Sequence, residues 1–186
     1  MKHTLLVALT ATMLIYNCKK DNLNCVPDLP CATKYGANTF GCYINGKPWV
    51  ADIAPYMLDP TLHAIEAEYD VTGYLDDPNN ALRVTASRWD STSSGFLTLY
   101  IKPVKGVGEL NAGTADFSVW GNLINQIHPN DVMGIDLDTI QDYSLTITHL
   151  DTEAKVISGV FSFKGISGAE TIEVTDGRFD VKYLPN

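Results

Sequence analysis

Histidines, carboxylates, thiols and large aromatic rings are the side chains here that could act on another molecule, and their spacing decides which chemistry is open. Beyond the amino-terminal segment the histidines are His63, His128 and His149, isolated from one another in the chain. Neither a Gly-x-Ser-x-Gly elbow nor a cysteine–histidine signature accompanies them, so nothing in the pattern sets a nucleophile beside a base. Glu66 and Glu68 are two residues apart, the spacing of neighbours on one strand face. Glycoside hydrolysis needs two carboxylates opposed across a cleft, which that spacing does not supply. Gly106-Val107-Gly108 lacks the Gly-Lys-Ser/Thr and the following helix of a phosphate loop and reads as a turn. No residue is therefore assigned a catalytic role.

Two binding chemistries remain. Asp131, Asp136, Asp138 and Asp142 fall close together, and a hard cation such as calcium wants several carboxylates and carbonyls in one loop. These four are a candidate calcium site, and calcium is the one cofactor the sequence raises. Ile140 stands where an EF-hand continues with an oxygen donor, so a solvated acidic loop is the competing reading. Trp89, Trp120 and Tyr100, with Tyr74, fall near predicted strand ends or on faces opposite the apolar set. Rings laid flat on a sheet bind sugars by stacking, which makes Trp89, Trp120 and Tyr100 a candidate aromatic binding surface. The competing reading is that these rings fill the core.

The elements that must position these residues are strands. From Thr39 onward the dominant signal is period-two alternation broken by turn chemistry. In Thr39 to Asp52 (TFGCYINGKPWVAD) Asn45-Gly46 supplies the two positive-φ residues of a type I′ hairpin turn. A two-residue turn sets Cys42 opposite Trp49 and Phe40 opposite Ala51, so Phe40, Cys42, Ile44, Trp49 and Ala51 share one apolar face. Further strands are predicted at Leu62 to Tyr69, Ala81 to Arg88, Gly95 to Lys102, Tyr143 to His149, Lys155 to Lys164 and Glu170 to Tyr183. Asp76 to Asn80 and Asp90 to Ser94 read as hairpin loops. In the last strand Ile172 and Val174 are even-numbered, whereas Phe179, Val181 and Tyr183 are odd. Either a bulge inserts one residue at Asp176-Gly177, or that pair is a turn setting Val174 opposite Phe179; the long neighbouring segment Lys155 to Lys164 favours the bulge. No segment of helix length carries a 3.6-residue apolar stripe, which disfavours a βαβ fold. The expected fold class is mainly β: an antiparallel β-sandwich or small β-barrel in a single domain.

With 186 residues, 45% of them hydrophobic and 19% charged, the chain fits one globular domain plus an appendage. Lys and Arg number 13 against 22 Asp and Glu, a net charge of -9. That leaves no basic surface to neutralise phosphates and points away from nucleic acid as a partner.

The appendage is an address. Met1-Lys2-His3 leads into the apolar run Thr4 to Tyr16, of signal-peptide length and too short to span a bilayer. Cys18 follows where that run stops, with Asn17 before it and Lys19-Lys20-Asp21 after. The arrangement resembles a lipobox, whose cysteine is acylated before cleavage and becomes the lipidated amino terminus. Residues 1–17 are accordingly read as a lipoprotein signal peptide, 18–37 as a flexible tether and 38–186 as the antiparallel β domain. The expected partner at that end is a membrane, engaged through acyl chains on Cys18. Three thiols then remain in an oxidising compartment. A Cys25–Cys31 disulfide with Cys42 buried as a small hydrophobe is favoured, and Cys31–Cys42 is the competing pairing.

Several motifs resemble an uncharacterised family of Bacteroidota lipoproteins. They are Gly36 to Cys42 (GANTFGC) followed by Asn45-Gly46-Lys47-Pro48-Trp49, Leu145 to Asp151 (LTITHLD), Ile157 to Phe163 (ISGVFSF) and Val174 to Tyr183 (VTDGRFDVKY). With the lipobox they span most of the chain. The resemblance implies a secreted, anchored, mainly β protein and no catalytic residues; Cys25 and Cys31 are additions that the family usually lacks. The expectation is a lipid-anchored outer-membrane protein, on the periplasmic or the surface side, that binds a glycan or an envelope protein without catalysis. The alternative is a hydrolase of envelope or extracellular polymers, which requires a cleft where a histidine or paired carboxylates converge.

Overall fold

The computed structural model describes residues 25–53, 63–70, 80–90, 93–111, 115–125, 132–136, 140–167 and 170–185. Cys18 and the leader, Tyr74, most of the Asp76 to Asn80 loop, His128, Asp131 and Asp138 lie outside the described residues.

Two sheets pack face to face as a sandwich and do not close into a barrel. The first runs in the order β2 (Lys47–Val50), β1 (Thr39–Ile44), β12 (Glu170–Lys182), β11 (Val156–Ser167), β10 (Ile140–Asp151) and β7 (Gly108–Leu110). The second runs β13 (Leu184–Pro185), β4 (Ile65–Asp70), β5 (Ala81–Trp89), β6 (Ser93–Lys102), β8 (Asp116–Asn125) and β9 (Val132–Asp136), with β3 (Asp52–Ile53) alongside the end of β5. Pairing is antiparallel except for β13 on β4 and β3 on β5. Among the described residues no helix is long and apolar enough to cross a membrane.

Local chemistry explains the pairing. Asn45 and Gly46 have φ of 48° and 75°, the left-handed values that a tight hairpin needs and that Asn and Gly tolerate best. Cys42 consequently faces Trp49, and the amide of Ala51 bonds the carbonyl of Phe40 at 3.0 Å. Phe40, Cys42, Ile44 and Trp49 are buried in the core and Ala51 packs against it. Burial pushes the Cys42 thiol up to about 12, so it stays protonated and behaves as a hydrophobe.

At Asp176-Gly177 β12 stays one continuous strand carrying a bulge. Phe161 pairs with Gly177 but Phe163 pairs with Val174, so two residues of β12 oppose one of β11, and β1 shows the same shift between Gly41 and Tyr43. Asp176 takes the positive φ of 52°. The extra residue changes which parity faces inward, and both Ile172-Val174 and Phe179-Val181-Tyr183 are buried. Gly177 is where the Phe161 ring lies: an added Cβ would come within 2.4 Å of it.

The described part of the expected flexible tether, residues 25–37, is packed on the domain. From Cys25 the chain docks on the outer face of the first sheet as a strap, with Leu29 and Thr33 buried. Cys25 and Cys31 are joined by a disulfide and Cys42 is the free, buried cysteine. The strap is held by Asp180, which the bulge turns away from the core. Its carboxylate accepts the Thr33 and Ser158 hydroxyls and the amides of Tyr35, Gly36 and Ala37, the last two at 2.9 and 3.0 Å. Burial of Asp180 opposes ionisation, but the hydrogen bonds from Thr33, Ala37, Ser158 and Gly36 outweigh it and hold the carboxyl below its ordinary value. Composition alone made this segment look like a linker; a single buried acceptor orders it.

Candidate ligand-binding face

The first sheet has its outer face covered by the strap over β1 and β12, whereas the outer face of the second sheet carries the candidate aromatics. On β5 the inward residues are Leu82, Val84 and Ala86, so Arg83, Thr85, Ser87 and Trp89 point outward. On β6 Leu97, Leu99 and Ile101 are fully buried, leaving Phe96, Thr98, Tyr100 and Lys102 outside; on β8 Phe117 and Val119 are inside and Ser118, Trp120 and Asn122 outside. Period-two alternation thus puts Trp89, Phe96, Tyr100 and Trp120 on one side.

Exposure separates core rings from surface rings. Trp49 is 7% exposed, whereas Trp89, Phe96 and Trp120 are 47%, 38% and 37% exposed. Tyr100 is half-buried, its ring centroid 6.3 Å from that of Trp120. The competing reading, that the candidate rings fill the core, does not hold for Trp89 or Trp120; Trp49 is in the core, as its hairpin register predicts. Phe96 belongs to the same face and the sequence reading passed it over; its parity with Tyr100 in Phe96-Leu97-Thr98-Leu99-Tyr100 is the signal that would have found it.

Register places the rings. Trp89 pairs with Ser94, Phe96 with Asn122 and Thr98 with Trp120. From each ring to the next, the step is one strand over and two residues along, so Trp89, Phe96 and Trp120 lie on a single diagonal. Such diagonal neighbours are about 7–8 Å apart. Hydroxyl and amide groups lie in the intervals: half-buried Thr85 shares a 3.1 Å hydrogen bond with Thr98, which is itself buried, Ser87 stands opposite Phe96, and Ser118 stands opposite Tyr100. Asn122 sits opposite Phe96 with its Oδ1 buried and without a hydrogen-bond partner among the described residues.

On this face Arg83 pairs with Glu68 on the neighbouring strand, and Arg88, of the opposite parity on β5, pairs with Asp90 at 2.7 Å. The Glu66 and Glu68 pair is thereby divided, since Glu68 is engaged by Arg83 while Glu66 stands opposite Thr85. A shallow groove of about 420 Å³ between Tyr100, Lys102, Asp116, Ser118 and Tyr143 continues the face past Tyr100.

Of the calcium candidates, Asp131 and Asp138 lie outside the described residues. Asp136 lies on β9 of the second sheet and Asp142 on β10 of the first, and no group of three or more potential metal ligands occurs among the described residues. His63 is exposed before β4, and His149 is a half-buried residue of β10 paired with Ser158. No protein-family model, curated protein or solved structure matches this chain.

Proposed function

We propose that this protein is a non-catalytic, lipid-anchored bacterial envelope protein that binds glycans on the outer face of its second sheet. The observation that carries the reading is that Trp89, Phe96 and Trp120 remain exposed on one face with hydroxyl and amide side chains between them. Stable folding alone favours burying such rings, because each holds 150–250 Å² of surface, mostly apolar. A sugar presents an apolar C–H face and a polar hydroxyl rim, and rings interleaved with Thr, Ser and Asn match both.

Cys18 is the proposed site of acylation and the outer membrane the proposed location. The seven residues from Cys18 to Asn24 reach at most about 25 Å, and they lead from the strap on the first sheet. The aromatic face lies on the opposite side of the sandwich from the strap. Cys18→Ala should abolish acyl labelling and release the protein from membranes; unchanged membrane attachment would refute the anchor. For the binding reading, the full chain in a non-glycosidic detergent is screened on an array of bacterial and host glycans. Retention by one glycan class that Trp120→Ala loses is the expected result. Equal retention by the variant would refute the face as the site.

A further inference from the structure

The arrangement of the rings says more about the ligand than their exposure does. Trp89 on β5, Phe96 on β6 and Trp120 on β8 follow one diagonal in two equal steps, each about 7–8 Å, so the row spans about 15 Å. A single sugar covers one ring of such a row and leaves the others bare. The charges narrow the class further. Arg83, the arginine of β5 that points outward, is engaged by Glu68, Lys102 stands opposite Asp116 in the register, and the chain carries a net charge of -9. An anionic polymer would meet acidic surroundings and an arginine already engaged.

We infer that the ligand is an extended, uncharged oligosaccharide lying obliquely across β5, β6 and β8 along Trp89, Phe96 and Trp120. The inference rests on the proposed glycan-binding face and deepens it. Ring contacts repeat along the row, so binding strength grows with chain length until the row is filled, and the middle ring matters only to ligands long enough to pass it.

The test is calorimetric titration of the full chain, in a non-glycosidic detergent, with gluco-, manno-, xylo- and N-acetylglucosamine oligomers from monomer to hexamer, and with oligogalacturonate as the charged probe. Affinity in at least one neutral series should rise by about tenfold or more from monomer to tetramer and then level off. Phe96→Ala should flatten that rise, with Trp89→Ala as the second variant on the same row. A monomer that binds as tightly as its hexamer, or a rise untouched by Phe96→Ala and Trp89→Ala, would overturn the extended ligand while leaving glycan binding intact. Tighter binding of oligogalacturonate would overturn the uncharged class. Failure of every probe to bind would overturn the inference together with the reading beneath it.

Discussion

Replacing Asp180 by Asn keeps the side-chain shape but removes the charge that gathers the strap. In the native arrangement one carboxylate oxygen accepts Thr33, Tyr35 and Ala37, and the other accepts Gly36 and Ser158. An Asn amide has one acceptor oxygen. It is least costly at the first position, so its NH₂ group then faces the Gly36 amide donor, while the Ser158 hydroxyl can reverse and accept. One backbone bond is lost and left buried, about 1–3 kcal/mol, and three bonds fall from charge-assisted to neutral strength. Release from the desolvation of a buried charge offsets part of this. The net expectation is a loss of about 2–4 kcal/mol at pH 7, read as a lower urea midpoint with unchanged slope. The sign of the pH dependence follows from the lowered Asp180 carboxyl. A folded value below the unfolded one contributes stability that is present above the unfolded value, about 3.9, and is lost as pH falls through the folded one. The gap between wild type and Asp180→Asn should therefore be full at pH 7 and shrink below about pH 4. Equal stability at pH 7, or a gap that stays constant into acid, would refute the assignment of Asp180 as the clamp.

Three further expectations concern the scaffold. Asn45→Ala puts a Cβ-bearing residue without a helpful side chain at positive φ and deletes the bond from the Glu173 amide to Asn45 Oδ1, costing about 2 kcal/mol by chemical denaturation. Gly177→Ala drives a methyl into the Phe161 ring and should cost about 1–3 kcal/mol, with recovery in the Gly177→Ala/Phe161→Leu double variant; additive losses would mean that the contact is not the cause. Cys42, buried and pushed up to about 12, should resist thiol reagents at pH 8 in the folded protein and react fully once unfolded.

What was legible in the chain depended on whether its signals were local. The Asn45-Gly46 hairpin and its register could be read because turn chemistry and alternation lie within a dozen residues. The bulge at Asp176-Gly177 was legible as a parity change, and the long neighbouring strand decided between bulge and turn. β8 was missed although Phe117 and Val119 alternate with Asp116, Ser118 and Trp120, because Gly121 interrupts the apolar set. The strap was misread because its ordering comes from Asp180, more than 140 positions away, and no local pattern reveals a long-range acceptor. Among the candidate residues, the outward placement of Trp89, Trp120 and Tyr100 is legible from type and parity. Their alignment with Phe96 depends on the pairing of β5, β6 and β8, which a single strand does not encode.

The central claim is that ligand binds on the outer face of the second sheet, and the three tryptophans test it most directly. Trp89 and Trp120 lie on that face, while Trp49 is buried against Phe40 with ring centroids 5.9 Å apart. In a ¹H–¹⁵N spectrum of the protein titrated with a glycan that it retains, the indole signals of Trp89 and Trp120 should shift together and that of Trp49 should stay in place. A glycan that binds while both surface indoles remain unmoved would contradict the account.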